Sequence, residues 1–355
     1  MEEKQTNEEH FLHSILTLYP FEVKKVKMIS SRSGRTIWEV ETDHGIKLLK
    51  QAHMDPRRML FIAEAHSHLL EKGLPIANIH KTKKGGLCIA ANGYSFVLYD
   101  KVEGKEMIYY DKEQLINIME FIGKFHHFSK GYSPNDEAKK RSRIGKWHKL
   151  FRWKLQELEG NKQIALNYPN DPFSVLFLEN VDKMLERGNE ALQNLDNSSY
   201  KRWAEQMNTE GVFCQQDFTL ARLIQVDQLA FMKELHSITY DLPTRDIRIL
   251  LNKVMKKLAL WDEDLCIELL RAYDSINPLS KEQYKILWDD IAFPYLFCSI
   301  AHKYYLAQKR SWSDQKYIWA LQNIISVENS KEKFLKNFDE IYNIIKVRNG
   351  GEKID

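Results

Sequence analysis

The stretch Phe213-Cys214-Gln215-Gln216-Asp217-Phe218-Thr219-Leu220-Ala221-Arg222-Leu223 sets a carboxylate, Asp217, shortly before a permanent cation, Arg222. Phe231-Met232-Lys233-Glu234-Leu235-His236-Ser237 follows, and then Asp241-Leu242-Pro243-Thr244-Arg245-Asp246. Carboxylates in such a string can accept a proton from a hydroxyl or hold a hard divalent ion, which prefers several oxygen ligands. Arginine can do neither, because it stays charged and offers no lone pair. Arg222 is therefore expected to pair with Glu234 or Asp217 and to neutralise them without an ion.

This layout resembles the catalytic core of aminoglycoside- and choline-kinase-like phosphotransferases: His-x-Asp-x-x-x-x-Asn, a short hairpin, then Asp-x-Asp. The resemblance implies a site for phosphoryl transfer, which depends on positioning and on neutralising phosphate charge with magnesium. On that pattern Asp217 matches the catalytic base, and Gln215 replaces the His. Arg222 stands where the magnesium-binding Asn belongs, Glu234 matches the metal-binding Asp, and His236 replaces the second Asp. Lys50 takes the place of the lysine that touches nucleotide phosphates, with Glu64 on the next helix as its expected ion-pair partner. Ser30-Ser31-Arg32-Ser33-Gly34-Arg35 occupies the phosphate-loop position with a single glycine, which restricts how closely backbone can approach phosphate. Gly123-Lys124-Phe125-His126 resembles the helix end beside that loop, and Asp241, Arg245 and Asp246 are expected to brace it. Ordinary catalysis with magnesium and ATP is not expected from this set. No metal site is expected, and ATP with magnesium enters only under an alternative reading.

The elements that must position these residues read as an α+β fold. Thr36–Thr42 alternates in strand fashion, Asp43-His44-Gly45 turns, and Gly45–Lys50 returns as a hairpin. A helix over Arg57–Lys72 stops at Gly73 and Pro75. Further strands are expected at Gly86–Ala90 and Tyr94–Tyr99. Helices follow at Lys112–Lys130, Lys146–Glu159, Val175–Asn194 and Lys201–Asn208. A short strand–loop–strand element interrupts them at 212–235, and helices resume from Arg245, the last over Lys331–Val347. The expected architecture is a two-lobed protein-kinase-like fold: a β-rich lobe with one helix over residues 1–101, then a mostly helical lobe over 102–355 carrying the altered loop.

Bulk properties exclude several classes. At 355 residues, 43% hydrophobic and 28% charged, the chain is an ordinary folded protein of more than one core. A formal charge of +3 implies no nucleic-acid partner. Apolar runs such as Ile291–Ile300 are too short to span a bilayer, and Met-Glu-Glu-Lys-Gln lacks a secretory layout, so residence inside a cell is expected. Cys88, Cys214, Cys266 and Cys298 show no paired spacing and are expected to be buried free thiols. The basic run from Lys139 to Lys149, with Arg152 and Lys154, is interleaved with Trp147, Phe151 and Trp153. It is either a solvated face or a grip on an acidic partner.

Longer strings narrow the resemblance. Ile37–Gly45, Lys105–Asp111, Lys140–Arg143, Trp153–Gly160, Lys233–Pro243 and Trp319–Asn323 are similar to the spore coat protein S family of endospore-forming bacilli. That similarity implies a coat component made in the mother-cell cytoplasm and deposited in the spore coat. It would have other coat proteins as partners and serve as a non-catalytic kinase-fold scaffold or assembly component. Two alternatives stay open: an atypical phosphotransferase acting on a spore saccharide or coat protein, and a nucleotide-binding module without catalysis.

Overall fold

The computed structural model describes residues 10–32, 34–216, 218–306 and 311–347. They pack as two compact units. One comprises the chain up to Ile108 with Phe128–Ser142 and Thr219–Thr239, and the other Tyr109–His127, Arg143–Phe218 and the chain from Tyr240 on.

In the first unit an antiparallel sheet runs β1(Val23–Arg32), β2(Arg35–Thr42), β3(Gly45–Ala52), β6(Tyr94–Asp100) and β4(Ile79–His80), with β5(Ile89–Ala91) also paired to β6. Register sets Trp38, Leu49 and Leu98 abreast, and one residue along sets Ile37, Lys50 and Val97 abreast. Side chains alternate faces along a strand, so these two rows point to opposite sides. The first row packs on Leu12, Ile15 and Leu16 of the helix described over 10–16 (α1), while Val97 and Tyr99 pack on Met59 of α2(Pro56–Glu71). Helix α2 starts because the Asp55 carboxylate accepts the Arg57 N–H at 3.0 Å and Pro56 presets the first turn. It stops at Gly73, whose φ of 87° suits a residue without Cβ. A second small sheet, β10(Leu229–Met232), β9(Leu223–Val226) and β7(Lys105–Glu106), belongs to the same unit.

The second unit is helical. Long helices α4(Trp147–Leu166) and α5(Pro172–Asn197) pack along each other and against α10(Tyr295–Tyr305), α9(Lys281–Ala292) and α11(Asp314–Lys336). Between these come α6(Tyr200–Thr209), α7(Thr244–Leu258) and α8(Glu263–Asp274). Ion pairs close its interior: Arg248 meets Asp290 at 3.1 Å, and Glu328 takes both Arg187 and Lys331. Cys214, Cys266 and Cys298 are buried and Cys88 is half-buried, all as free thiols. No helix of the described residues is long and apolar enough to cross a membrane.

Several features depart from expectation: the strand expected over Gly86–Ala90 runs Ile89–Ala91; α1, β4 and β7 were not foreseen; and Thr219–Thr239, expected in the helical lobe, groups with the first unit. Strand β1 carries Lys24, Lys25 and Lys27 on an exposed edge, so it lacks the alternation that marks a half-buried strand. The helix expected over Lys331–Val347 is two: α11 ends at Asn337, with φ −104° and ψ 34°, and α12(Phe338–Lys346) begins there. The break redirects the chain so that Trp288 stacks on Phe334 and meets Phe338 edge-on.

Near the end of α9, burial pushes the Asp289 carboxyl up to about 7, with Asp290 and Glu190 adding to it and Asn194 opposing. The folded state then holds this proton more tightly than the unfolded chain, so stability falls as pH rises from the ordinary carboxylate range to about 7. Asp289→Asn, which still accepts from Asn194, should raise thermal stability by on the order of 2 kcal/mol at mildly alkaline pH. In acid, where Asp289 is protonated in both states, it should change nothing; melting curves across pH check this.

Candidate functional site

The row Ile37–Lys50–Val97 forms one wall of a cavity of about 210 Å³ inside the first unit. Tyr99 and Met59 deepen that wall, and Arg222, Glu234, Leu235 and His236 close it. The 220s and 230s reach it through the β9–β10 hairpin, which is tied down beside the loop after α2. Met232 N–H donates to the Pro75 carbonyl at 2.9 Å, and Ala77 N–H donates to the Met232 carbonyl at 3.0 Å. His66, fully buried on α2, donates from Nε2 to the Ala77 carbonyl at 2.6 Å and accepts the Leu235 N–H at Nδ1, 3.3 Å away. Those partners hold the ring neutral, and burial pushes it down to about 4.

The pairing inside the cavity is Lys50 with Glu234. The Lys50 ammonium also lies 5.6 Å from the centre of the Tyr99 ring, a favourable cation–π approach. Burial pushes the Glu234 carboxyl up, but the Lys50 charge and hydrogen bond, followed by Arg222 and His236, pull it below the usual range. Arg35, on the first position of β2, is lowered by burial and then by its neighbour Arg222, with Glu234 opposing. His236 is pushed down to about 4 by burial, then by Arg222 and Arg35. Like charges thus crowd one side of the cavity while a single carboxylate answers them among the described lining residues.

Of the expected site residues, Lys50, Arg222 and Glu234 are brought together; Glu64 is not, and Asp217 lies outside the described residues, as does Ser33 of the loop before β2. The expected Lys50–Glu64 pair is replaced by Lys50–Glu234, and Glu64 accepts the Asn135 N–H at 3.0 Å. Helix geometry explains it: His66 faces Tyr99 and Leu235, and two residues turn a helix by about 200°, sending Glu64 the other way. The expected Arg222–Glu234 ion pair is likewise taken by Lys50, leaving Arg222 to act on Glu234 by charge alone. His66 and Tyr99 were not foreseen, and Arg35 was foreseen only as the last residue of the expected phosphate loop. The signal for its place in the cavity was position: Arg35 precedes Ile37 by two and so shares its face.

The bracing residues sit in the second unit. Asp241 accepts the Trp147 indole N–H at 2.7 Å and the Leu242 N–H at 2.9 Å, with Arg245 3.5 Å away. Asp246 accepts the Gln215 N–H at 2.7 Å and meets His126 Nε2 at 3.3 Å. Gly123 lets α3(Lys112–Ser129) press against Ile276, where a Cβ would come within 2.9 Å of a side-chain carbon. His126, Cys214 and Asp246 offer donor atoms within 4.8 Å of one another. A structural zinc site takes four ligands, one more than this cluster offers, and the Cys214 thiol donates to the Leu242 carbonyl at 3.1 Å. The cluster is a hydrogen-bonded interior.

The basic run is divided between the two units. Lys139 pairs with Asp55 at 2.9 Å in the first unit, while Arg152 and His148 meet Asp196 in the second. Trp147 and Phe151 are buried, and only Trp153 of that helix is exposed among these aromatics.

A kinase-like site implies magnesium and ATP, and the residues present do not fit the ion. Glu234 is the one carboxylate lining the cavity among the described residues and is already neutralised by Lys50, while Arg222 adds positive charge beside it. Magnesium needs several oxygen donors, and the described lining offers a single carboxylate.

Comparison with known proteins follows the same lines. The family model described as spore coat putative kinase YutH matches residues 15–338. Spore coat protein S of Bacillus subtilis (strain 168) is 61% identical over 343 residues, covering 97% of this chain and 98% of that protein. An aminoglycoside phosphotransferase structure from Alicyclobacillus acidocaldarius superposes with a TM-score of 0.77 at 16% identity, covering 93% of this chain and 96% of that one. Amicoumacin kinase in complex with AMP-PNP, Ca²⁺ and Ami gives a TM-score of 0.62 at 14% identity, with the same coverages of 93% and 96%. At such identities these two establish the kinase-like phosphotransferase fold.

Lys50→Met strands the Glu234 carboxylate and should cost about 2 kcal/mol, less than a fully buried pair because Arg222 and Arg35 still compensate. Adding Glu234→Leu should restore most of that loss, as denaturant titration of the double-mutant cycle would read. Because Glu234 is depressed in the folded state, its contribution is present above the ordinary carboxylate range and fades as pH falls below it.

Proposed function

The chain belongs to the YutH family of spore coat proteins, and from that premise we propose that it is a component of the spore coat whose kinase-like fold serves as a non-catalytic scaffold or assembly element. One observation carries this reading. The cation that phosphoryl transfer would require beside Glu234 is supplied by the chain's own Lys50 and Arg222. A guanidinium there can hydrogen-bond phosphate oxygens but has no coordination position, so it cannot bridge two phosphates as magnesium does. The fold is kept because its surface and its rigid, ion-paired interior are what an assembly needs. Its partners are other coat proteins, and its place is the coat itself, as in the relative's name.

The purified chain should show no change in melting temperature with ATP or GTP, with or without magnesium or manganese, and no release of phosphate. Metal-dependent stabilisation together with turnover that disappears in Asp217→Asn would instead establish an unorthodox phosphotransferase.

A further inference from the structure

The cavity in the first unit holds more positive charge than its own carboxylate can answer. Arg35, Lys50 and Arg222 line it against Glu234 alone among the described residues, a formal surplus of two positive charges. His236 does not redress this, being neutral at ordinary pH. Lys50 spends its charge on Glu234, whereas the Arg222 Nε is buried with no hydrogen-bond partner among the described residues. A buried guanidinium donor left unanswered is costly, and planar N–H forks match the paired oxygens of phosphate. The volume of about 210 Å³ equals that of about seven waters. It lies below the roughly 300–1,000 Å³ of sites for drug-sized ligands, so it suits a phosphate group with a small substituent.

We propose that this cavity binds a phosphate group, free or as a small monoester, without a divalent metal. Arg222 and Arg35 grip the oxyanion, and Lys50 holds Glu234 out of its way. The proposal rests on the reading that magnesium does not serve this site, yet it fails separately from it. Glu234 here opposes the ligand, whereas at a magnesium-bridged site the same carboxylate would be required. The two arrangements therefore predict opposite signs for one substitution.

The full chain should be titrated by calorimetry with inorganic phosphate, pyrophosphate and O-phosphoserine in excess EDTA, and again with magnesium. Binding is expected in EDTA and unchanged by magnesium. Arg222→Gln should weaken it about tenfold, the loss of one charged hydrogen bond. Arg35→Gln, at an exposed strand end, should weaken it in the same direction should Arg222→Gln fail to fold. Glu234→Gln should tighten it several-fold. Preference for phosphate and pyrophosphate assigns a free anion, and preference for phosphoserine assigns a monoester; either supports the site. Absence of binding by all three probes overturns the inference while leaving the scaffold reading intact. Binding that needs magnesium and is lost in Glu234→Gln overturns both.

Discussion

A carboxylate taken out of water must be answered by positive charge, and Glu234 is answered from two directions. Lys50 reaches it from the sheet face shared with Ile37 and Val97, and Arg222 acts on it from the neighbouring segment at the same open end of the β9–β10 hairpin. The position of each partner is inherited from backbone pairing. Antiparallel register decides which face Lys50 takes, and the backbone bonds from Pro75, Ala77 and Met232 decide where Glu234 arrives. His66 completes the wall as a neutral ring, since its hydrogen bonds satisfy it without charge.

That balance separates shape from chemistry. The fold of phosphotransferases is present over nearly the whole chain, while the one carboxylate lining the first unit's cavity among the described residues is answered by Lys50 and Arg222. A fixed guanidinium neutralises as well as an ion does, but it cannot leave, exchange water or bridge two phosphates. On the scaffold reading proposed above, such a replacement would end the reaction without costing the architecture.

The second unit shows where stability is invested. Several of its buried charges are answered within the unit: Arg248 with Asp290, Arg187 and Lys331 on Glu328, Asp246 on the Gln215 backbone. Each such group is expensive to bury alone and tolerable only when paired, so the set specifies one arrangement of helices. The residues that brace a catalytic loop elsewhere thus persist here as structural pairs, and the His126, Cys214 and Asp246 cluster belongs with them.

Periodicity alone determined the α+β plan, because the β2–β3 hairpin and helices such as α2 and α3 each bury one side of a local repeat that is visible residue by residue. Side-chain chemistry, read against the resemblance to phosphotransferases, marked Arg222 as unable to ligate a metal, a property that no surroundings can change. Strand β1 and the Asn337 break escaped, since an exposed lysine-rich edge and a turn set by Trp288 packing leave no periodic trace. Partner choice was decided only in three dimensions. Glu64 and His66 stand two apart in sequence yet face opposite ways on a helix, and Glu234 meets Lys50, far away along the chain, because sheet register and hairpin anchoring bring them to one cavity. Charge is written into the sequence; the distance between charges is set by the folded backbone.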